Sequence, residues 1–464
     1  MDEAPGLAPE LRAAASPFQG ELIFPGDPGY DAARKVWNGV VNKRPAVIAR
    51  CTDNSDIVTM LRLARQNGLP VAVRGGAHSF AGHSTCDDGM VIDLSPMKRI
   101  SVDPQRRVAV VEPGLTWGEL TQATQEHGLV AVGGHVSVVG VPGLTLGGGV
   151  GWLARMQGLA CDNLIEVELV TADGSVVRAS AEENPELFWG VRGGGGNFGI
   201  ATRFTLRLHA VGTLFAGMVM HPAERAQEVL RFYRDFSAAA PDAVNVLAGF
   251  GTAPPADFVP PDLRGRPAVF IAACHLGSVE DGEKALAAVR EFGSPPVDLF
   301  GPMPYGQLQH MFDEMSAAST PFHVKAALLG PLDDAALDTL VEQTATMPTP
   351  ASSVLVLPLG GAVSEVPPDA TAFWHRGARY NLEICAVWDS PDDDAGPYRE
   401  WAQACWQAMR PWSVGVEVNH LGDEGPERVR EAYGDRTYGR LAALKRRYDP
   451  ENVFRLNQNI RPAG

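Results

Sequence analysis

From about residue 45 the chain alternates short apolar runs with amphipathic stretches. Residues 47–49 read as a strand. Residues 54–67 read as a helix, with Ile57, Val58, Leu61 and Ala64 on one face and Gly68 beyond its end. Strands are predicted over 71–73, 91–94 and 108–111. Thr116-Trp117-Gly118-Glu119 is a capping-box pattern opening a helix that stops near Gly128. A glycine-dense block spans 133–151, and strands are predicted over 164–170 and 204–208. Near residue 212 the texture changes. Helices are predicted at about 223–239, 279–292, 334–347 and 395–410, with strands over 269–274, 354–357 and 384–388 between them. That alternation predicts an α+β domain with one helix-covered sheet. A last helix is predicted at about 426–447, followed by the polar-aromatic stretch Asn452-Val453-Phe454-Arg455-Leu456-Asn457-Gln458-Asn459. Residues 1 to about 40 are punctuated by Pro and Gly and are expected to wrap the surface.

Three glycine-rich segments stand out. Arg74-Gly75-Gly76-Ala77-His78-Ser79-Phe80 directly follows the strand at 71–73. Small residues there let the backbone turn tightly and converge several N–H groups, which is how a loop holds a pyrophosphate. Val139 to Trp152 carries six glycines, and the entropy this costs on folding is understandable where a flat or charged ligand needs close backbone approach. Gly194-Gly195-Gly196-Asn197-Phe198-Gly199 matches a dinucleotide fingerprint, but residues 200–206 read as β where that fingerprint needs a helix. It is either a tight turn or a turn that also approaches a cofactor.

At 464 residues two domains are the expectation. The net charge of −16 disfavours binding to nucleic acid or an anionic membrane through bulk attraction. No run of about 18 apolar residues predicts a membrane span. The first fifteen residues lack a basic start and an apolar stretch, so a cytoplasmic location is the expectation. The six cysteines are scattered, with no CxxC pair; isolated reduced thiols are expected, and no metal site.

In this order and spacing, the segments 74–82, 139–152, 162–163, 188–199 and 448–459 resemble the berberine bridge enzyme-like flavoproteins, within the p-cresol methylhydroxylase (PCMH) and vanillyl-alcohol oxidase superfamily. The resemblance covers almost the whole chain. It implies a PCMH-type FAD-binding domain over 40–211, after an N-terminal extension over 1–39. It also implies a substrate domain over 212–420, with an antiparallel sheet covered by helices, and a segment over 421–464 that returns to the FAD domain.

In relatives the histidine of the first loop is bonded to the 8α carbon of FAD, and that role maps onto His78. Many relatives have a second link through a cysteine three residues before the Val-Gly-Val of the glycine block. Val136 stands there, and His135 lies beside it, so a single covalent bond is expected. The resemblance assigns FAD contacts to Arg74, Gly75, Gly76, Ala77, Ser79, Val139, Gly140, Val141, Gly143, Gly147, Gly148, Asn163, Ile200, Asn457 and Asn459. Val139 matches a position that gates oxygen access, and a small residue there fits an oxidase. The family's Tyr-x-Asn-Tyr pattern, whose second Tyr deprotonates the substrate, is here Glu417-Val418-Asn419-His420. His420 thus takes the base position; with an ordinary pKa of about 6.5, imidazole suits proton transfer at neutral pH. Glu417 would orient it or compete with it.

Some relatives carry a glutamate where Asn381 stands, which as an amide would only position substrate. By alternation Tyr380 and Leu382 share one strand face, and Asn381 and Glu383 the other. Trp152 and Tyr380 are candidates for walls of an aromatic pocket or for core packing. The implied function is an FAD-dependent oxidase of a small alcohol, phenol or amine, of the kind found in secondary metabolism, with molecular oxygen as co-substrate and the chain as monomer or homodimer. Two rivals are an oxygenase or oxidative cyclase acting on a polyketide-like compound, and a flavin-binding protein without turnover.

Overall fold

Three β-sheets organise the described residues, each answering to a different pattern in the sequence. The structure, a computed structural model, describes residues 18–464 together with Leu11, Ala13 and Ser16. In the first sheet Val47–Arg50, Met90–Asp93 and Val71–Arg74 run parallel, with Glu21–Ile23 antiparallel at the edge. These strands are short and almost wholly apolar, as expected of parallel strands covered on both faces. The helix Asn54–Gln66 packs Ile57, Met60, Leu61 and Ala64 beneath them, and Asp53 caps it through the Asp56 N–H.

The second sheet has six antiparallel strands around Ile200–Ala210. The capping box is formed: the Thr116 side chain accepts from Glu119 N while Glu119 accepts from Thr116 N, opening the helix Trp117–Gln125. The glycine-dense block holds a helix that periodicity did not predict, Val141–Gly147. With only Val141, Leu144 and Leu146 as large apolar residues, it has too little pattern to be read from sequence. It forms because Pro142 suits the first turn and because tertiary packing buries one side.

The third sheet has nine antiparallel strands, with Ser353–Pro358, Tyr380–Val387 and Phe322–Leu329 side by side. The helices Ala226–Ala239, Val279–Glu291, Asp334–Thr344 and Gly396–Met409 pack on one of its faces. Alternation along Tyr380–Val387 sends Tyr380, Leu382, Ile384 and Ala386 into that helical layer. Glu383, Cys385 and Val387 on the other face line a cavity between this sheet and the glycine loops.

A buried charge pair closes the fold. Lys445, on the helix Pro426–Tyr448, lies 2.7 Å from Asp449, and both side chains are fully enclosed. Lys445 also donates to the carbonyls of Asn197 and Phe454, and Asp449 accepts from Val453 N and Phe454 N. Residues 445–460 are thereby tied to the glycine turn around Asn197, whose side chain donates to Gln458 O and accepts from Ile460 N.

Burial pushes His83, His135, His209, His221 and His323 each down to about 4. Between that value and about 6.5 the unfolded chain binds protons that the fold does not, so stability falls as pH drops through this window. Thermal unfolding followed from pH 7 to pH 4 should show a progressive fall in midpoint beginning near pH 6.5. A midpoint that holds down to pH 4.5 would contradict it.

Candidate active site

The cavity, of about 420 Å³, opens where the glycine loops face the uncovered side of the third sheet. Gly75 to Ser79 leave the carboxyl end of the strand Val71–Arg74, the usual place for a ligand on a parallel sheet. Gly76 and Gly140 meet backbone to backbone. A Cβ on Gly76 would lie 2.5 Å from Gly140 Cα, and one on Gly140 would lie 2.6 Å from Gly76 N. Ala77 takes a left-handed φ of 58°, which turns the loop and points His78 inward. The ring of His78 takes no hydrogen-bond partner among the described residues. Burial lowers its pKa to about 4, so its lone pair is free at neutral pH. Trp37 stacks on it at 5.1 Å. The segment around Trp37, expected to wrap the surface, therefore reaches the site.

Gly75, Gly76, Ala77, His78, Ser79, Val139, Gly140, Gly143, Gly147, Ile200 and Asn457 line the cavity, as does Val136. The other cofactor candidates lie elsewhere. Arg74 points away: a buried cation needs acceptors, and its guanidinium finds them in Ala33 O and Ser84 O beside Asp93. It shapes the loop from behind. Val141 is packed in the core of the second sheet. Gly148 sits against Phe373 at a φ of +132°. Asn163 donates to Gln157 O and Leu159 O and bonds His209. Asn459 does not line the cavity, although its Oδ1 is enclosed and unpartnered.

Of the two readings open for Tyr380 and Trp152, wall or core packing, both residues take the second, and Tyr380 is thereby away from the catalytic position. Tyr380 faces the helices, bonding Ser237 at 3.1 Å, because alternation places it opposite Glu383. Trp152 is fully buried with Phe312 and Phe270 nearby, and its indole N–H is satisfied by His135 O at 3.2 Å. The walls are instead Phe80, Phe312, Phe322, Leu247, Leu355 and Leu357.

At the substrate-sheet end three ionisable groups converge. His420 Nε2 is 2.8 Å from Glu383 and its Nδ1 is 3.1 Å from Glu417. The Asn381 amide lies 3.2 Å from the same Nδ1, one layer behind the cavity wall. Burial disfavours a charge on His420, but Glu383 and Glu417 outweigh it and lift its pKa well above the ordinary value. Burial would raise Glu383, and the His420 charge prevails to hold it below the ordinary carboxylate value. The placement of the ring between two carboxylates therefore favours its protonated form over the neutral imidazole that a base at position 420 would need. Glu383, given no role by sequence beyond its strand face, lines the cavity together with Glu417, and of the two only Glu383 keeps side-chain exposure. The signal available was its alternation with Asn381.

The residues present suit FAD. The two glycine loops leave backbone N–H groups where side chains would block approach. His83 Nε2, Ser84 Oγ, Thr85 Oγ1 and Asn457 Oδ1 are enclosed without partners. Among the described residues no Lys or Arg lines the cavity, so a diphosphate there would be held by backbone N–H groups and hydroxyls. Gly140→Val should give folded protein that purifies with little flavin, whereas Gly251→Ala, with open space around its Cβ, should keep it. Flavin absorbance per protein measures both; full occupancy in the Gly140 variant would contradict the cradle.

A parallel-sheet loop of this kind, facing a helix-covered antiparallel sheet across the cavity, is the arrangement of a flavoprotein oxidoreductase. The chain belongs to the berberine bridge enzyme-like FAD-linked oxidoreductases. The family profile "FAD binding domain" matches residues 45–180, and "Berberine and berberine like" matches residues 392–461. The chain is 33% identical to (R)-6-hydroxynicotine oxidase of Paenarthrobacter nicotinovorans, over 96% of this chain and 98% of that one. It is likewise 33% identical to an FAD-linked oxidoreductase of Dictyostelium discoideum, over 92% and 91%. Among solved structures, 6-hydroxy-D-nicotine oxidase from Arthrobacter nicotinovorans superposes with a TM-score of 0.88 at 28% identity, covering both chains fully. The BBE-like 1 protein of Physcomitrella patens, at 23% identity and a TM-score of 0.86 over 97% of this chain and 99% of that one, shares the fold.

Proposed function

We propose that the protein is an oxidase that removes two electrons from a small, largely apolar organic substrate, with FAD bonded covalently to His78 and oxygen as final acceptor. The observation that carries this reading is the single cavity running from His78 to Glu383 and His420. Bound there, FAD would supply the two-electron acceptor and the site at which oxygen is reduced to hydrogen peroxide. His78 supports a single link: it is inward, neutral and unpartnered, and Val136 occupies the place of a cysteine. The small side chain of Val139 on the cavity wall supports oxygen access.

The substrate end favours a compact molecule. Its walls are aromatic and aliphatic, so apolar surface gives most of the binding, while few polar groups fix orientation. With two carboxylates on the lining and no Lys or Arg among the described residues there, the substrate is uncharged or cationic in preference to anionic.

Two measurements test this reading. Acid-precipitated protein should stay yellow, and His78→Ala should release its colour; release from the unaltered protein would exclude the link. A panel of small alcohols, phenols and amines should include compounds that bleach the flavin anaerobically and yield hydrogen peroxide in air. Incorporation of labelled oxygen into product would replace the oxidase with an oxygenase.

A further inference from the structure

Resting on the oxidase reading, we propose that Glu383 takes the substrate's proton, and that Glu417 and His420 are positioning residues that hold it ready. Oxidising a carbon that bears an alcohol, phenol or amine releases a hydride, which the flavin accepts, and one heteroatom proton, which needs an acceptor in the cavity. A hydrogen-bond count decides which group has room for it.

His420 has none. Each ring nitrogen is within hydrogen-bond distance of a carboxylate, Nε2 of Glu383 and Nδ1 of Glu417. Glu417 is closed off from a substrate by enclosure. Its side chain is fully enclosed; Oε1 accepts from Gly149 N and the Asn419 amide, both at 3.4 Å, and Oε2 faces His420. Glu383 engages His420 through Oε1 only, and its Oε2 has no partner among the described residues. It projects from the strand Tyr380–Val387 onto the cavity wall and keeps some exposure there.

The charges around the trio are consistent with this division. Glu383 comes from the sheet, Glu417 and His420 from the segment after Ser413–Gly415, and His135 from the facing loop. His135 lies within electrostatic reach of Glu383 and His420 but is held neutral by burial, with its pKa lowered to about 4. Among the described residues His420 is therefore the group placed to carry the positive charge between the two carboxylates. Asn381 and Asn419 add no charge. Asn381 has its amide nitrogen beside Nδ1 and its Oδ1 unpartnered; with the amide turned over, that oxygen would be the atom suited to an Nδ1–H. Glu417 supplies what an isolated Glu-His pair lacks: a second acceptor on the far nitrogen. It fixes the ring plane and keeps the proton on Nε2 aimed at Glu383.

Histidine nitrogen resonances of 15N-histidine-labelled holoenzyme test this without a substrate. One imidazole, identified by its loss in His420→Asn, should keep both ring nitrogens protonated from pH 6 to pH 9. In Glu417→Gln that resonance should titrate within this range, and Glu417→Asp should restore the behaviour of the unaltered protein. An His420 that titrates near pH 6.5 in the unaltered protein overturns the assignment, as does indifference to Glu417→Gln. The two readings fail distinguishably: a persistent imidazolium with no turnover of any panel compound removes the oxidase, and with it the substrate proton assigned to Glu383, while leaving the Glu417–His420 arrangement; turnover with a freely titrating His420 removes this inference alone.

Discussion

Glu383→Gln should lower the turnover number by about 100- to 10,000-fold, the range expected when a positioned general base is lost. Its flavin content should be unchanged, because Glu383 stands on the sheet side of the cavity, away from the Gly76–Gly140 contact. The substitution keeps the shape and the oxygen facing His420 Nε2 while removing the charge. The pH profile separates the two candidate bases. An unperturbed imidazole base would lose activity below about pH 6.5. A carboxylate held low by His420 stays ionised further into acid, and activity should persist until acid unfolding sets in. Steady-state kinetics on a bleaching substrate gives both results; a Gln variant that keeps most of its turnover would rule Glu383 out.

The largest expected effect on stability lies elsewhere. Lys445→Met should cost about 3–5 kcal/mol, since removing one partner of a fully buried ion pair strands the other. Asp449 would keep its two backbone donors but lose its counter-charge, and the carbonyls of Asn197 and Phe454 would lose theirs. The exposed pair Arg65–Glu451 offers the comparison: Glu451→Gln should change stability by no more than about 0.5 kcal/mol. Calorimetric or denaturant unfolding of the three proteins measures the contrast, and an unshifted Lys445 variant would refute it.

What could be read from the sequence follows from how local each signal is. The capping box at Thr116, the helix from Asn54 and the β character after Gly199 are set by neighbours a few residues apart, and all three are formed. Alternation along Tyr380–Val387 correctly separated Asn381 and Glu383 from Tyr380, yet could not say which face met the cavity; that depends on four helices packing on one side. Trp37 illustrates the opposite limit. It lies in a stretch without periodicity and is brought onto His78 by long-range bonds with Ala77, Ser316 and Ser319. The state of His420 was likewise out of reach. A histidine read alone has a pKa near neutrality, and only three-dimensional proximity supplies the two carboxylates that change it.

The tie between Asn197 and residues 454–460 bears on how the protein is made. Synthesis is vectorial, and the first two sheets emerge from the ribosome well before residues 454–460. The glycine turn of the cofactor loops is braced by Lys445, Gln458 and Ile460. The flavin pocket is thus finished by segments translated about 250 residues after the turn they brace. Cofactor loading is accordingly expected late in the life of the chain, and ribosome-stalled nascent chains ending before residue 445 should emerge without bound flavin.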